Sequence, residues 1–331
     1  MHIDFCSKQQ LGYSMLKVEI RRGGLIESTH RVHARVETAD GNILFNTTDD
    51  FDFFARSAIK PFQSYLLLKS GAFESLNLDL THLALASASH AGELQHTDRV
   101  TAWLEKLGLD HTALRCGTHW PGDAETGYFM HENKLKPCAV HNNCSGKHTG
   151  FLSVCAHLKL PFEGYHLIDH PLQQKLKTVL ENEFDCQLMN YGIDGCSIPA
   201  FMVSFHKMSK AFARMAAQAL ADPSSTAGLV VQAFKANPVL TSGTADYCTR
   251  IMVKNARRIL VKGGAEGVVA GVFPEKKLSI LVKCHDGSHR GSEHAFDYLV
   301  QKWAGLQPAM PTKLNNWVGT EVGHVEVIEN V

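Results

Sequence analysis

The chain has 331 residues, and its 33 Lys and Arg balance 33 Asp and Glu, for a formal net charge of zero at pH 7. Hydrophobic residues make up 44% and charged residues 20%, as in ordinary globular proteins. No basic stripe or long apolar run occurs, so we expect neither nucleic acid nor a membrane as a partner. Nine cysteines without framework spacing and a start without signal-peptide features predict free thiols and a cytoplasmic location.

The first part of the chain alternates apolar and polar residues between positions 16 and 48, which predicts antiparallel strands. The turn signal at Asp40 and Gly41 predicts a hairpin. A helix is expected from Ser57 to Lys69, and an apolar run from 81 to 88 leads into a loop. Another helix is predicted over 94–107. The segment therefore changes from strands to helices near residue 57.

The middle of the chain is predicted to be mostly helical. Helices are expected after Gly146, over 171–184, over 200–221, after an N-capping Asp222, and over 245–255. Strands return near 259–284 with a turn at 274–277, followed by a helix at 292–303 and a strand at 324–328.

This order predicts an α+β fold, an antiparallel sheet flanked by helices with an inserted α-rich part. The sheet would come from roughly 10–55 and 257–331, and the α-rich part from roughly 90–256. We expect a single catalytic domain over 1–331.

The segment R-S-A-I-K-P-F-Q sets Ser57 and Lys60 three residues apart, on one face of a helix. A lysine with a lowered pKa can accept the proton of a serine, so this spacing supplies a nucleophile and a base without histidine. The alternative is structural: Ser57 would cap the helix and Lys60 would lie on a solvated face.

Two cysteine-containing turns are candidates for a metal site. Cys144 and Lys147 lie in H-N-N-C-S-G-K-H, with His141 and His148 nearby, and Cys196 follows Asp194 in a turn expected between two helices. Thiolates from separate loops can share a zinc ion. The alternative is that both cysteines are small buried residues that pack helix starts.

Lys262 ends an apolar strand and precedes two glycines, where a backbone and a substrate can approach closely. As an alternative, it protects an exposed sheet edge. Ser89 lies in the S-A-S-H loop and by itself is typical of a turn residue.

Five segments in this order resemble the rhizobial-type (class 3) L-asparaginases: R-S-A-I-K-P-F-Q, S-A-S-H-A-G-E, H-N-N-C-S-G-K-H-T-G-F, G-I-D-G-C-S-I-P and V-K-G-G-A-E-G. The family's fold is similar to serine β-lactamases and penicillin-binding proteins. The resemblance implies two Ser-Lys pairs and a zinc ion held by two cysteines and a lysine. These residues are Ser57 with Lys60, Ser89 with Lys262, and Cys144, Lys147 and Cys196.

The resemblance implies hydrolysis of L-asparagine to L-aspartate and ammonia through an acyl-enzyme on Ser57, with Lys60 as the base. We expect Arg56, His90 and Asp194 to contact the substrate and the protein to be a homodimer. Two alternatives remain open. One is a zinc-dependent amidohydrolase of another small amide, and the other is a non-catalytic amino-acid or peptide sensor on the same fold.

Overall fold

The computed structural model describes residues 15–330. The predicted absence of a signal segment and the sheet residues expected before 15 therefore lie outside the described residues. Within them, a large antiparallel sheet has the order β10-β11-β1-β2-β9-β8-β7, with β3 beside β2, and a small sheet has the order β4-β6-β5. The strands are β1 (Met15–Arg22), β2 (Leu25–Thr38), β3 (Ile43–Asn46), β4 (Asp52–Phe54), β5 (Tyr191–Ile193), β6 (Pro199–Ser204), β7 (Leu260–Gly264), β8 (Val268–Phe273), β9 (Leu278–Cys284), β10 (Lys313–Asn315) and β11 (Glu321–Asn330).

The two ends of the chain meet in the large sheet. Val18 of β1 pairs with Val327 of β11, and Val32 of β2 pairs with Cys284 of β9. Alternate β1 residues such as Val18 are fully buried, because one face of the strand is covered by the helices. This pairing confirms the predicted α+β fold with an antiparallel sheet.

Helices cover the sheet and form the part between its two halves. They are α1 (Lys60–Gln63), α2 (Tyr65–Lys69), α3 (Ala72–Ser75), α4 (Leu80–Ala86), α5 (Leu94–Lys106), α6 (Ala124–Glu132), α7 (Ser145–Leu158), α8 (Pro171–Phe184), α9 (Phe205–Ala221), α10 (Thr226–Ala236), α11 (Pro238–Ser242), α12 (Tyr247–Lys254) and α13 (His289–Leu299). Between residues 15 and 330, none of them has the length and apolar character that a membrane span requires.

The segment before α9 was predicted incorrectly. Residues 199–204 form strand β6, not the start of a helix, so Asp194 and Cys196 lie in a turn between β5 and β6. Every second residue of β6 is buried, which is the period of a strand. Its partner β4 lies about 150 residues earlier in the chain, so local sequence does not reveal the pairing. The helix after Asp222 is likewise capped by Ser225, whose hydroxyl accepts from Gly228 N.

Two glycines allow the motif segments to approach each other. A Cβ at Gly146 in α7 would lie 2.5 Å from the Leu85 carbonyl oxygen of α4. A Cβ at Gly264 in β7 would lie 2.9 Å from the Ala55 carbonyl oxygen. Glycine is therefore required where α7 meets α4 and where the sheet edge meets the segment before α1.

Candidate active site

Ser57 lies in a 3₁₀ turn, Arg56–Ile59, that continues directly into α1. Ala55 occupies the cap position, and no side chain caps the turn. Lys60 is 1% exposed. The structural alternative for this motif is therefore wrong, because Ser57 is not a cap and Lys60 is not on a solvated face.

The Lys60 ammonium points toward the loop after α4. Its Nζ lies 2.6 Å from the Ala88 carbonyl oxygen, 2.9 Å from Ser89 Oγ and 3.1 Å from Cys144 Sγ. No hydrogen bond joins Lys60 to Ser57, the nucleophile for which the sequence predicted Lys60 as the base. Within residues 15–330, the half-buried Ser57 hydroxyl has no hydrogen-bond partner, so it remains free to face a ligand.

Ser89 is held between two lysines from distant parts of the chain. Lys262 Nζ lies 2.9 Å from Ser89 Oγ and 2.7 Å from the Gly263 carbonyl oxygen. Burial and the neighbouring Lys60 charge lower the pKa of Lys262 to about 8. Although β7 is at a sheet edge, Lys262 is 2% exposed and does not protect that edge from solvent.

The two cysteine turns converge beside Lys60. Lys147 Nζ lies 3.0 Å from Cys196 Sγ. A hydrogen bond with Cys144 and the charge of Lys147 lower the pKa of Cys196 to about 5, which favours one negative charge on the thiol pair. Burial opposes a charged Lys147, but the two thiols raise its pKa. Two sulfurs and one nitrogen thus meet at one buried point. The thiols are donors that zinc takes, whereas Lys147 would have to lose its proton to join them.

Arg56 and Asp194 form an ion pair at the edge of this cluster. Both Nε and an Nη of Arg56 lie 2.8 Å from one Asp194 oxygen. Burial of Asp194 is outweighed by the charges of Lys147 and Arg56, which lower the pKa of its carboxyl group. Arg56 has a φ of +49°, a strained conformation for a residue with a side chain.

His90 is bonded within the protein. Its Nε2 lies 2.8 Å from Ser145 Oγ, its Nδ1 lies 3.1 Å from the Gly92 backbone nitrogen, and its ring stacks on His96. Burial lowers the pKa of His90. Both ring nitrogens of His90 are thus hydrogen-bonded within the protein, and these bonds hold the Ser89 loop in place.

Two spaces border Ser57, and an open cleft adjoins one of them. A narrow one is lined by Arg56, Lys60, Lys147 and Asp194. A second, of about 220 Å³, is lined by Ser57, Ser89, Lys262, Asp246 and Glu293. We call the second one the Ser57 cavity. It shares Ser89, Asn143, Ser242 and Asp246 with an open cleft of about 960 Å³.

Sequence reasoning missed the acidic side of the Ser57 cavity. Asp246 was expected only inside a helix, whereas it precedes α12 and caps it through Cys248 N. Glu293 lies in α13, and burial together with Asp246 raises its pKa to about 7. An Asp before a helix is visible in the sequence, but the direction of Glu293 depends on how α13 packs against the sheet.

A separate group of potential metal donors lies at the start of the loop before α13. His30 Nδ1 is 2.7 Å from Asp286 Oδ2, and Cys284 Sγ is 3.0 Å from Asp286 Oδ1. These bonds attach the end of β9 to β2.

A family model for L-asparaginase II matches residues 18–327. The chain belongs to the L-asparaginase II family. It is therefore an enzyme, an L-asparaginase-type amidohydrolase that acts on amides. Among curated proteins no sequence relative matches the chain.

Several solved structures are similar to this amidohydrolase at low identity. A β-lactamase-like protein from Bacteroides dorei is 11% identical, with 83% of this chain and 86% of that one covered and a TM-score of 0.38. A β-lactamase from Mycobacterium bovis is 14% identical, with 87% and 94% covered and a TM-score of 0.37. Mglu in its tris and glutamate form is 16% identical, with 86% and 61% covered and a TM-score of 0.40. The chain thus spans less than two thirds of Mglu.

The lowered pKa of Lys262 predicts a pH-dependent hydrolysis rate. A base must be neutral, so kcat should rise with pH by up to about tenfold per unit and level off above about pH 8. Lys262→Arg should lose about 100-fold or more of kcat, since a guanidinium stays charged. The measurement is ammonia release from an amide substrate across this range.

The exposed Lys254→Arg serves as the control and should keep the wild-type profile. A rate that is flat from about pH 6 to 9, or a Lys262→Arg variant with a wild-type rate, would exclude Lys262 as the base.

Proposed function

We propose that the enzyme converts L-asparagine to L-aspartate and ammonia in the cytoplasm, as a homodimer. The observation that carries this proposal is the buried Lys60–Ser89–Lys262 cluster, which lies against the cavity lined by Ser57. A neutral lysine and a free serine hydroxyl at one cavity are the groups that acyl transfer requires.

In the proposed reaction, Ser57 Oγ attacks the side-chain carbonyl carbon of asparagine. Its proton passes through the Ser89 hydroxyl to Lys262, while the Lys60 ammonium donates to Ser89 and holds it in place. The proton then moves to the amide nitrogen, the C–N bond breaks and ammonia leaves. Water attacks the resulting ester, gives its proton to Lys262, and the Ser57 hydroxyl is restored with release of aspartate.

We propose that Arg56 and Asp194 anchor the α-groups of the substrate. The α-carboxylate of a substrate can pair with Arg56 and its α-ammonium with Asp194. A zwitterionic amino acid would thus replace the Arg56–Asp194 ion pair with two ion pairs to the substrate. Both residues line the narrow space beside Ser57, together with Lys147.

We further propose that Cys144, Lys147 and Cys196 hold a zinc ion. The thiolate character of Cys196 supports this assignment, and zinc would replace the proton that Lys147 now shares with it. When bound, zinc would supply a positive charge that places the substrate beside Arg56 and Asp194. This assignment gives zinc no part in making the nucleophile, which distinguishes the enzyme from a zinc hydrolase.

The proposed function predicts a strong preference for asparagine over glutamine. With the α-groups anchored, the extra methylene moves the glutamine amide past Ser57 by about 1.5 Å. A displacement of this size costs about 100-fold in rate, so kcat/KM should favour asparagine by at least that factor. Ammonia release from both amino acids measures it, and equal values would show that the anchors do not set the register.

Covalent trapping identifies the nucleophile. Quenching the enzyme with asparagine should leave an aspartyl ester on the peptide that contains Ser57, detected by mass spectrometry. Ser57→Ala should lower kcat by about 10⁴-fold or more. Ser89→Ala is the informative comparison, because it removes the hydroxyl between the lysines. The Ser89→Ala variant should react more slowly, with its ester still on Ser57. If the wild-type enzyme carried the ester on Ser89, then Ser89 would be the nucleophile and Ser57 would not.

Loss of a proposed zinc ligand should weaken substrate placement. Cys196→Ala should lower zinc content by elemental analysis and raise KM by about tenfold, with a smaller change in kcat. Cys186→Ala, a half-buried thiol outside the cluster, should keep both values. Wild-type protein without zinc, or a collapse of kcat at unchanged KM, would contradict this role.

A further inference from the structure

The acidic side of the Ser57 cavity is not used by the reaction described above. The carboxylate of Glu293 has no hydrogen bond or ion pair within residues 15–330. Asp246 likewise forms no ion pair within the described part. One of its carboxylate oxygens accepts a hydrogen bond from Cys248 N at 2.7 Å. Two carboxylates therefore face one cavity without a cationic partner in contact.

A third group in the same place lacks a partner. The Ser242 hydroxyl is buried, and its oxygen makes no hydrogen bond to any described residue. Ser242 is 4% exposed and lines both the Ser57 cavity and the open cleft. A buried hydroxyl without a partner costs free energy, so a ligand that bonds to it would be stabilised there.

The basic groups near this wall are directed elsewhere. Lys262 lies at the Ser89 end of the cavity and bonds to Ser89 and the Gly263 carbonyl. Arg250 is exposed and points to the Ala309 carbonyl. His289 is the other cavity residue that can carry a positive charge. The acidic wall is thus available to a bound cation.

The open cleft continues the acidic surface. Its described lining residues include Glu93, Asp123 and Glu125 and no Lys or Arg. Glu93 bonds to Thr244 N and Oγ1, which holds the loop before Asp246 in place. At about 960 Å³, the cleft is in the upper range of ligand pockets and is far larger than ammonia needs.

We propose that Asp246, Glu293 and Ser242 form a leaving-group subsite, and that the enzyme also cleaves side-chain amides of aspartate whose amine half carries a positive charge. This inference rests on the proposed function: with the α-groups held by Arg56 and Asp194 in the narrow space, the Ser57 cavity is the other described space that borders Ser57 and takes the leaving group. A protonated amine donates to carboxylates and to the Ser242 oxygen. The cleft then accommodates the rest of the amine half.

The chemistry is the same as for asparagine. Ser57 forms the ester with the aspartyl half, the amide C–N bond breaks, and the nitrogen leaves with a proton from Lys262 as a substituted amine. Water completes the hydrolysis.

Two matched substrates test the subsite. N4-(2-aminoethyl)-L-asparagine carries an ammonium where N4-propyl-L-asparagine carries a methyl group of similar size. Wild-type kcat/KM should favour the cationic amide by about tenfold or more, as expected for a partly buried charge pair. Glu293→Gln and Asp246→Asn should each reduce this ratio. The Asp246→Asn side chain keeps an oxygen that can cap α12, so the helix start is preserved.

The ratio is taken within one enzyme preparation, so a general loss of activity or folding does not change it. Glu74→Gln is the control, since Glu74 is exposed and lines neither space, and should keep the wild-type ratio. A wild-type ratio near one, no hydrolysis of either substituted amide, or an unchanged ratio in both variants would overturn the inference. Absence of asparagine hydrolysis in wild type would instead refute the proposed function.

Discussion

Two buried lysines that share one serine hydroxyl are the arrangement on which the rest of this site depends. A charged ammonium is costly to bury, and two of them beside one oxygen repel each other. The cost is offset by the carbonyl oxygens of Ala88 and Gly263, which accept one hydrogen bond from each lysine. What remains of the cost appears in the lowered pKa of Lys262. The burial that destabilises the charge on Lys262 thereby increases the fraction of neutral amine, the form that can accept a proton.

The sulfur cluster is connected to this arrangement through Lys60, which reaches Cys144 Sγ as well as Ser89. Two cations offset the two acidic groups of the cluster: Lys147 bonds to Cys196 Sγ, and Arg56 pairs with Asp194, whose Oδ2 lies 3.3 Å from the same sulfur. Each acidic group thus has a cation beside it. A change in one thiol would therefore affect the lysines beside it.

The fold brings these groups together by close backbone approach. The Ser57 turn lies against the β7 edge at Gly264, and α7 lies against α4 at Gly146, so two glycines set the distances across the site. Ser57 thereby lies between two chemically different spaces. The narrow one carries Arg56 and Lys147, and the Ser57 cavity carries Asp246 and Glu293. A substrate with an anionic end and an amine leaving group matches that division.

The α+β order and long helices such as Pro171–Phe184 were predicted correctly from the sequence, which also shows the segments that carry the motif residues. Periodicity and capping are local, so they are readable in a window of a few residues. The helix predicted for 200–204 was wrong, because these residues belong to strand β6, which is stabilised by pairing with β4, far away in the chain. Two features were visible only in the folded protein: Lys60 bonds to Ser89 instead of Ser57, and Glu293 lines the Ser57 cavity. Both depend on where long side chains end after distant segments pack, and local spacing carries no information about that.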